Sequence, residues 1–146
     1  MPKQAQGAQL NKNPSLTESD PKAGEELALL VAEAGLDKKA GRIEIIDVRG
    51  KVDYTDYVVV MSGRSDRQVA AIARGIEEDL KLKYGTRCSG VEGLPQGNWV
   101  LLDFGDVVVH IFHQDTRGFY DIEGLWLDAK RVEFEGQQAD DGFVFP

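Results

Sequence analysis

Tyr57-Val58-Val59-Val60-Met61-Ser62-Gly63-Arg64-Ser65-Asp66-Arg67-Gln68-Val69 holds the change of periodicity that decides the fold class. Its first five residues are apolar at every position, the pattern of a strand covered on both faces. Ser62 to Asp66 then turns the chain, and Ser65 can cap a helix, with Gln68 three residues on completing a capping box. Beyond the turn Val69, Ile72, Ala73, Ile76 and Leu80 recur at helical spacing and form one stripe ending near Tyr84-Gly85. Arg67, Arg74, Glu78 and Lys81 occupy the opposite, solvated face. A buried strand that feeds an amphipathic helix belongs to an α/β domain.

Working outward, Ser19-Asp20-Pro21 offers a cap-like residue and a proline suited to a first helical turn. Leu27, Leu30, Val31 and Ala34 follow as an amphipathic helix that ends near Gly35 or, after a further turn, near Gly41. Ile43, Ile45, Ile46 and Val48 make a β-branched strand that stops at Gly50. On the other side, Arg87 to Val91 reads as a weak strand. Trp99–Phe104 and Val107–Phe112 read as a hairpin turned at Gly105-Asp106, where glycine permits positive φ. Phe119 to Trp126 closes the fold as a short helix packing back. The expected architecture is a single small α/β domain over residues 20–132, with a mixed β-sheet flanked by helices.

A length of 146 residues suits one domain and one core. Residues 1–19 and 133–146 carry few large apolar groups, so both are expected as tails, the second one acidic. Phe143-Val144-Phe145 in the second tail could dock, although fraying is the expected fate. The chain has 25 acidic residues against 17 Lys plus Arg, a net charge of −8. That balance argues against phosphate neutralisation as the main source of affinity and favours basic proteins or small molecules. Cys88 stands alone, which excludes an intrachain disulfide and a multi-thiolate zinc site. No apolar run approaches a membrane span or a signal peptide, so a soluble, cytoplasmic, reducing setting is expected.

No catalytic set stands out. His110 and His113 lie three apart on a strand and so point to opposite faces, a poor start for a shared metal ion even with Asp115 nearby. As a nucleophile Cys88 would need a depressed pKa and a positioned base, and nothing near it in sequence supplies that pair. The Ser62–Asp66 turn could hold an anion at a helix N-terminus. It lacks the glycine and lysine spacing of a phosphate loop, and a nucleotidyltransferase would need two acids one apart on a later strand. Asp103 and Asp106 flank a turn instead, so a capping turn is the better reading. Trp99, Tyr120 and Trp126, with Asp103, Asp121, Glu123 and Asp128 as neighbours, admit two readings. They either cover the sheet, which is the commoner fate of such rings, or form a surface for a basic protein.

Several longer strings then recur together: Ile46-Asp47-Val48-Arg49, Thr55-Asp56-Tyr57-Val58-Val59 and Ser62 through Gln68. Glu92-Gly93, Trp99 through Phe112 and Arg117 through Trp126 continue in register, across residues 24–131. This ordered set resembles the ribosomal silencing factor family, also called RsfS or Iojap. The resemblance implies a domain related to nucleotidyltransferases without their catalytic acids, hence no enzyme activity, no cofactor and no metal. It implies binding to the large ribosomal subunit through that subunit's protein fourteen, a block on joining of the small subunit, and repression of translation when nutrients are short. It implies a capacity to homodimerise off the ribosome, and neither sequence-specific nucleic-acid binding nor membrane binding. Carried onto this chain, the partner-binding aromatics are Trp99 and Tyr120; Asp103, Asp121 and Glu123 are added on electrostatic grounds. Gly118 and Gly124 depart from the bulkier residues usual around Tyr120 and are expected to loosen that segment. The alternative function is a nucleotidyltransferase-like enzyme using the Ser62–Asp66 turn.

Overall fold

The all-apolar run forms the central strand of a sheet, β2 (Tyr57–Gly63), buried at every position in a computed structural model that describes residues 21–134. Its partner on one side is β1 (Gly41–Asp47), antiparallel. On the other side β5 (Val107–His113) runs parallel to it over its whole length. Parallel neighbours need a long crossover. Here the crossover contains the helix α2 (Asp66–Tyr84), the short edge strand β3 (Gly90–Glu92) and β4 (Trp99–Asp103). A final strand, β6 (Arg131–Val132), pairs with β1, so the six-stranded order is β3-β4-β5-β2-β1-β6. Among the described strands only the β2–β5 pair is parallel.

Helix α1 (Pro21–Asp37) and α2 cover one face. Ala28, Val31 and Ala32 of α1 and Val69, Ile72 and Ile76 of α2 meet Val59, Met61, Val109 and Ile111 from the sheet in the main core. Phe134, two residues past the expected end of the folded unit, packs into that core as well. The second face is thinner. Ile46, Val58, Val60 and Phe112 are covered there by Trp126 and Ala129, with Trp99 and Ile122 packed at the margin. The cover comes from the 3-10 turn Ile122–Trp126 and the residues just after it, which α3 (Gln114–Tyr120) leads into.

The expected elements are present, with shifts that have local causes. α1 ends at Asp37, between the two glycines expected to stop it, because Lys39 takes up the left-handed conformation (φ +68°) and Ala40 N–H donates back to the Gly35 carbonyl. Ser65 caps α2 as expected, accepting from Gln68 N–H at 3.1 Å. The Gln68 amide closes on Arg64 N–H rather than on Ser65, since its other end donates to the Lys39 carbonyl. The expected closing helix is two elements. α3 starts directly after β5, capped by His113, and the 3-10 turn follows a left-handed residue, Asp121. Residues 1–20, the rest of the acidic tail and Phe143–Phe145 lie outside the described residues.

A candidate protein-binding face around Trp99

In the antiparallel β4–β5 pair, Trp99 lies opposite Phe112 and Leu101 opposite His110, and directly opposed residues share a face. That face is the thinly covered one. The Trp99 ring stacks on Phe112 at a centroid distance of 4.9 Å, and its indole N–H donates to His110 Nδ1 at 3.0 Å. α3 brings Tyr120 over the same spot, 4.5 Å from Trp99 and 6.2 Å from Phe112. Phe119 meets Tyr120 edge-on. Two residues 21 positions apart thus form one aromatic pair whose outer parts stay wet: Trp99 is half-buried and Tyr120 is 47% exposed. Phe119 and Leu125, on adjoining turns, are more exposed still.

What holds Tyr120 there is Arg117, one turn back on α3 and 1% exposed. Its Nη1 donates to the Arg42 carbonyl at 2.6 Å and to Ser62 Oγ at 2.8 Å, and its Nε donates to Glu123 Oε2 at 2.8 Å. One guanidinium therefore ties α3 to β1, β2 and the 3-10 turn. Burial disfavours its charge, and the Glu123 carboxylate offsets only part of that cost. Burial likewise pushes the Glu123 carboxyl up, but the Arg117 charge and the hydrogen bonds outweigh it and hold the carboxyl below its ordinary range.

The five residues expected at the partner surface therefore separate. Trp99, Tyr120 and the exposed Asp121 come together at one end of the sheet. Asp103 lies at the far end of β4, about 13 Å along the strand, where Oδ1 accepts from Gly105 N–H in the hairpin turn. The Glu123 carboxylate turns inward to Arg117. Gly124 follows the Asp121 turn closely enough that a Cβ would collide with the Asp121 carboxylate, so glycine suits that bend. Gly118 has open space around it. Sequence reasoning missed Phe112, His110 and Arg117 as parts of the site. Cross-strand alternation could have placed the first two beneath Trp99, whereas a buried arginine leaves no mark in a sequence.

The other candidates are engaged elsewhere. His110 is buried and loses its tendency to protonate, its pKa being pushed down to about 4 by desolvation. His113 Nδ1 accepts from Asp115 N–H as the α3 cap. The Cys88 thiol donates to the Gly90 carbonyl, and burial pushes its pKa up, away from a reactive thiolate. In the Ser62–Asp66 turn, Ser62 receives Arg117 and Ser65 caps α2. No helix among the described residues is long and apolar enough to cross a membrane.

A family model described as "Ribosomal silencing factor during starvation" matches residues 21–143. The chain belongs to the ribosomal silencing factor family. The silencing factor of Halalkalibacterium halodurans is 40% identical over 114 residues, which cover 78% of this chain and 97% of that one. A crystal structure of a Chromobacterium violaceum protein superposes with a TM-score of 0.68 at 37% identity, covering 76% of this chain and 91% of that one. A mouse relative, named mitochondrial assembly of ribosomal large subunit protein 1, is 32% identical over 116 residues, 73% of this chain and 50% of its own length. Silencing factors are named for a regulatory role, and this member shares the fold of the Chromobacterium violaceum structure over about three quarters of its length.

Proposed function

We propose that this protein binds the large ribosomal subunit through that subunit's protein fourteen, occupies the face where the small subunit joins, and so lowers translation when nutrients are short. It acts in the cytoplasm, without cofactor or chemical step. The observation that carries the reading is the half-exposed Trp99–Tyr120 pair, braced from beneath by Phe112 and His110. Aromatic anchors held in place before contact are what interfaces use as hot spots. Family membership and the large-subunit name of the mouse relative support the choice of target. Asp121 beside the pair, in a chain of net charge −8, complements a basic ribosomal protein.

Silencing is then steric competition, set by the factor's concentration against its dissociation constant and by the competing small subunit. Truncating a central aromatic anchor typically costs about 2 kcal/mol or more, a loss of roughly 30-fold in affinity. The test is sedimentation of purified ribosomal subunits with the wild type and with Trp99→Ala plus Tyr120→Ala. Comigration with the large subunit alone, fewer joined ribosomes, and loss of both in the variant are expected. A wild type that stays at the top of the gradient overturns the assignment.

A further inference from the structure

The chain leaves its last strand heading for the end of the sheet that carries the aromatic pair. β6 is antiparallel to β1, with Ile46 opposite Arg131 and Ile45 opposite Val132, so past Val132 it runs toward the Gly41 end of β1. Gly41 lies opposite Ser62, Ser62 opposite Phe112 and Phe112 opposite Trp99, one row across four strands. Phe134, the last described residue, packs into the main core two residues beyond β6. Four interstrand steps from β6 to β4, with about two residues along the strand, put Trp99 about 20 Å from it.

The aromatic face exposes more apolar surface than Trp99 and Tyr120 themselves. Phe119 is 82% exposed and meets Tyr120 edge-on at 5.1 Å, and Leu125 on the next turn is 67% exposed. Exposed apolar residues scattered singly need no explanation, whereas three gathered beside one aromatic pair mark a surface that something covers. Beyond Phe134 the sequence offers Phe143 and Phe145. Positions two apart project to the same side of an extended chain, so both rings can lie on one surface. Nine residue steps separate Phe134 from Phe143, a reach of about 30 Å when fully extended. As a flexible linker, with Gly136 and Gly142 in it, the same stretch averages about 17 Å. That average is close to the span required, the condition under which a tethered contact is most favourable. The rival seat is the groove between α1 and α2. Glu33, Asp37 and Asp79 line it with Lys83, and they repel a segment carrying Glu135, Asp140 and Asp141.

We propose that Phe143 and Phe145, carried on residues 135–142, fold back onto Phe119, Tyr120 and Leu125 and cover the aromatic face until a partner displaces them. The segment is then an internal competitor, and the apparent affinity for any partner of that face falls with the fraction of molecules left open. A tether of this length supplies an effective concentration of about a millimolar. Two rings binding at that strength keep the face covered for a substantial fraction of the time without closing it. That the covered face is the docking face rests on the proposed ribosomal binding; the fold-back itself does not.

The experiment compares the wild type with two altered chains. One carries Phe143→Ser plus Phe145→Ser. The other lacks residues 136–141, which keeps both rings but cuts the reach from Phe134 to about 10 Å, half the span. Nuclear Overhauser contacts from Phe143 or Phe145 to the rings of Phe119 or Tyr120 are expected in the free wild type, unchanged on dilution, and absent from the shortened chain. Both altered chains are expected to bind purified bacterial large ribosomal subunits about two- to fivefold more tightly than the wild type. A wild type without these contacts overturns the proposal. Contacts that persist in the shortened chain, or that fade on dilution, overturn it too, since the rings then sit on a second copy. Contacts without any gain in subunit affinity overturn the competition. Docking itself is judged separately by Trp99→Ala plus Tyr120→Ala: normal subunit binding by that variant removes the docking, while the fold-back is still judged by the contacts in the free wild type.

Discussion

Acid should destabilise this protein through one buried ring. His110 is 8% exposed, and desolvation outweighs the opposing pull of Glu123 to bring its pKa from 6.5 down to about 4. A depressed histidine pKa means that the fold prefers the neutral ring. Above pH 6.5 both folded and unfolded chains hold it neutral, so the group makes no difference. As the pH falls below 6.5 the unfolded chain takes up a proton that the folded chain refuses until about pH 4, and stability drains away across that window. The loss is about 1.4 kcal/mol per pH unit within the window, or about 2 kcal/mol between pH 7.5 and pH 5. The ring's geometry sharpens the effect, because Nδ1 already accepts the Trp99 indole N–H and the arriving proton would claim that lone pair. Urea unfolding of wild type and His110→Gln at both pH values isolates the term, since carboxylates titrate alike in the two proteins. The stability difference between them should shift by about 2 kcal/mol in favour of the glutamine protein as the pH falls. Parallel pH profiles would refute the reasoning.

Arg117→Ala leaves the Glu123 carboxylate, the Ser62 hydroxyl and the Arg42 carbonyl without their shared donor. A loss of about 3 to 5 kcal/mol in urea unfolding is expected, with amide exchange quickening first in α3 and the 3-10 turn. Ser65→Ala removes the cap on Gln68 N–H and should cost about 1 kcal/mol; Ser65→Gly should cost only a few tenths.

The elements legible in the sequence were those whose periodicity is long. The apolar run from Tyr57 to Met61 and the stripe from Val69 to Leu80 place β2 and α2 because every residue agrees with its neighbours. α3 was not legible: Gln114 to Tyr120 is seven residues with a glycine inside, and its stability comes from Arg117 reaching three other elements. Propensity carries no trace of such a tertiary tie. β6 is two residues long and exists only because β1 offers it an edge. The same divide runs through the site. Trp99 and Tyr120 were named by resemblance, and their contact depends on the β4–β5 register and on α3 together. Asp103 and Glu123 were chosen for charge alone, and local geometry spends one on a turn and the other on an ion pair.

That ion pair bears on how the face works. A buried salt bridge is weak as a source of net stability, because desolvating both partners costs as much as their attraction returns. Apolar residues of similar volume in place of both Arg117 and Glu123 would hold the fold at no greater cost, yet none could reach a hydroxyl, a carbonyl and a second element at once. What the guanidinium supplies is geometry: α3 sits at one height and one rotation over the sheet, which sets Tyr120 at 4.5 Å from Trp99. Trp99 is fixed in turn by stacking on Phe112 and by its bond to His110. Both rings are thus packed against neighbours in the free protein, which in the proposed docking lowers the side-chain entropy still to be lost on binding. In the proposed docking a wetter, looser pair with the same exposed area would bind more weakly, so Arg117 is expected to act on affinity through the position of Tyr120.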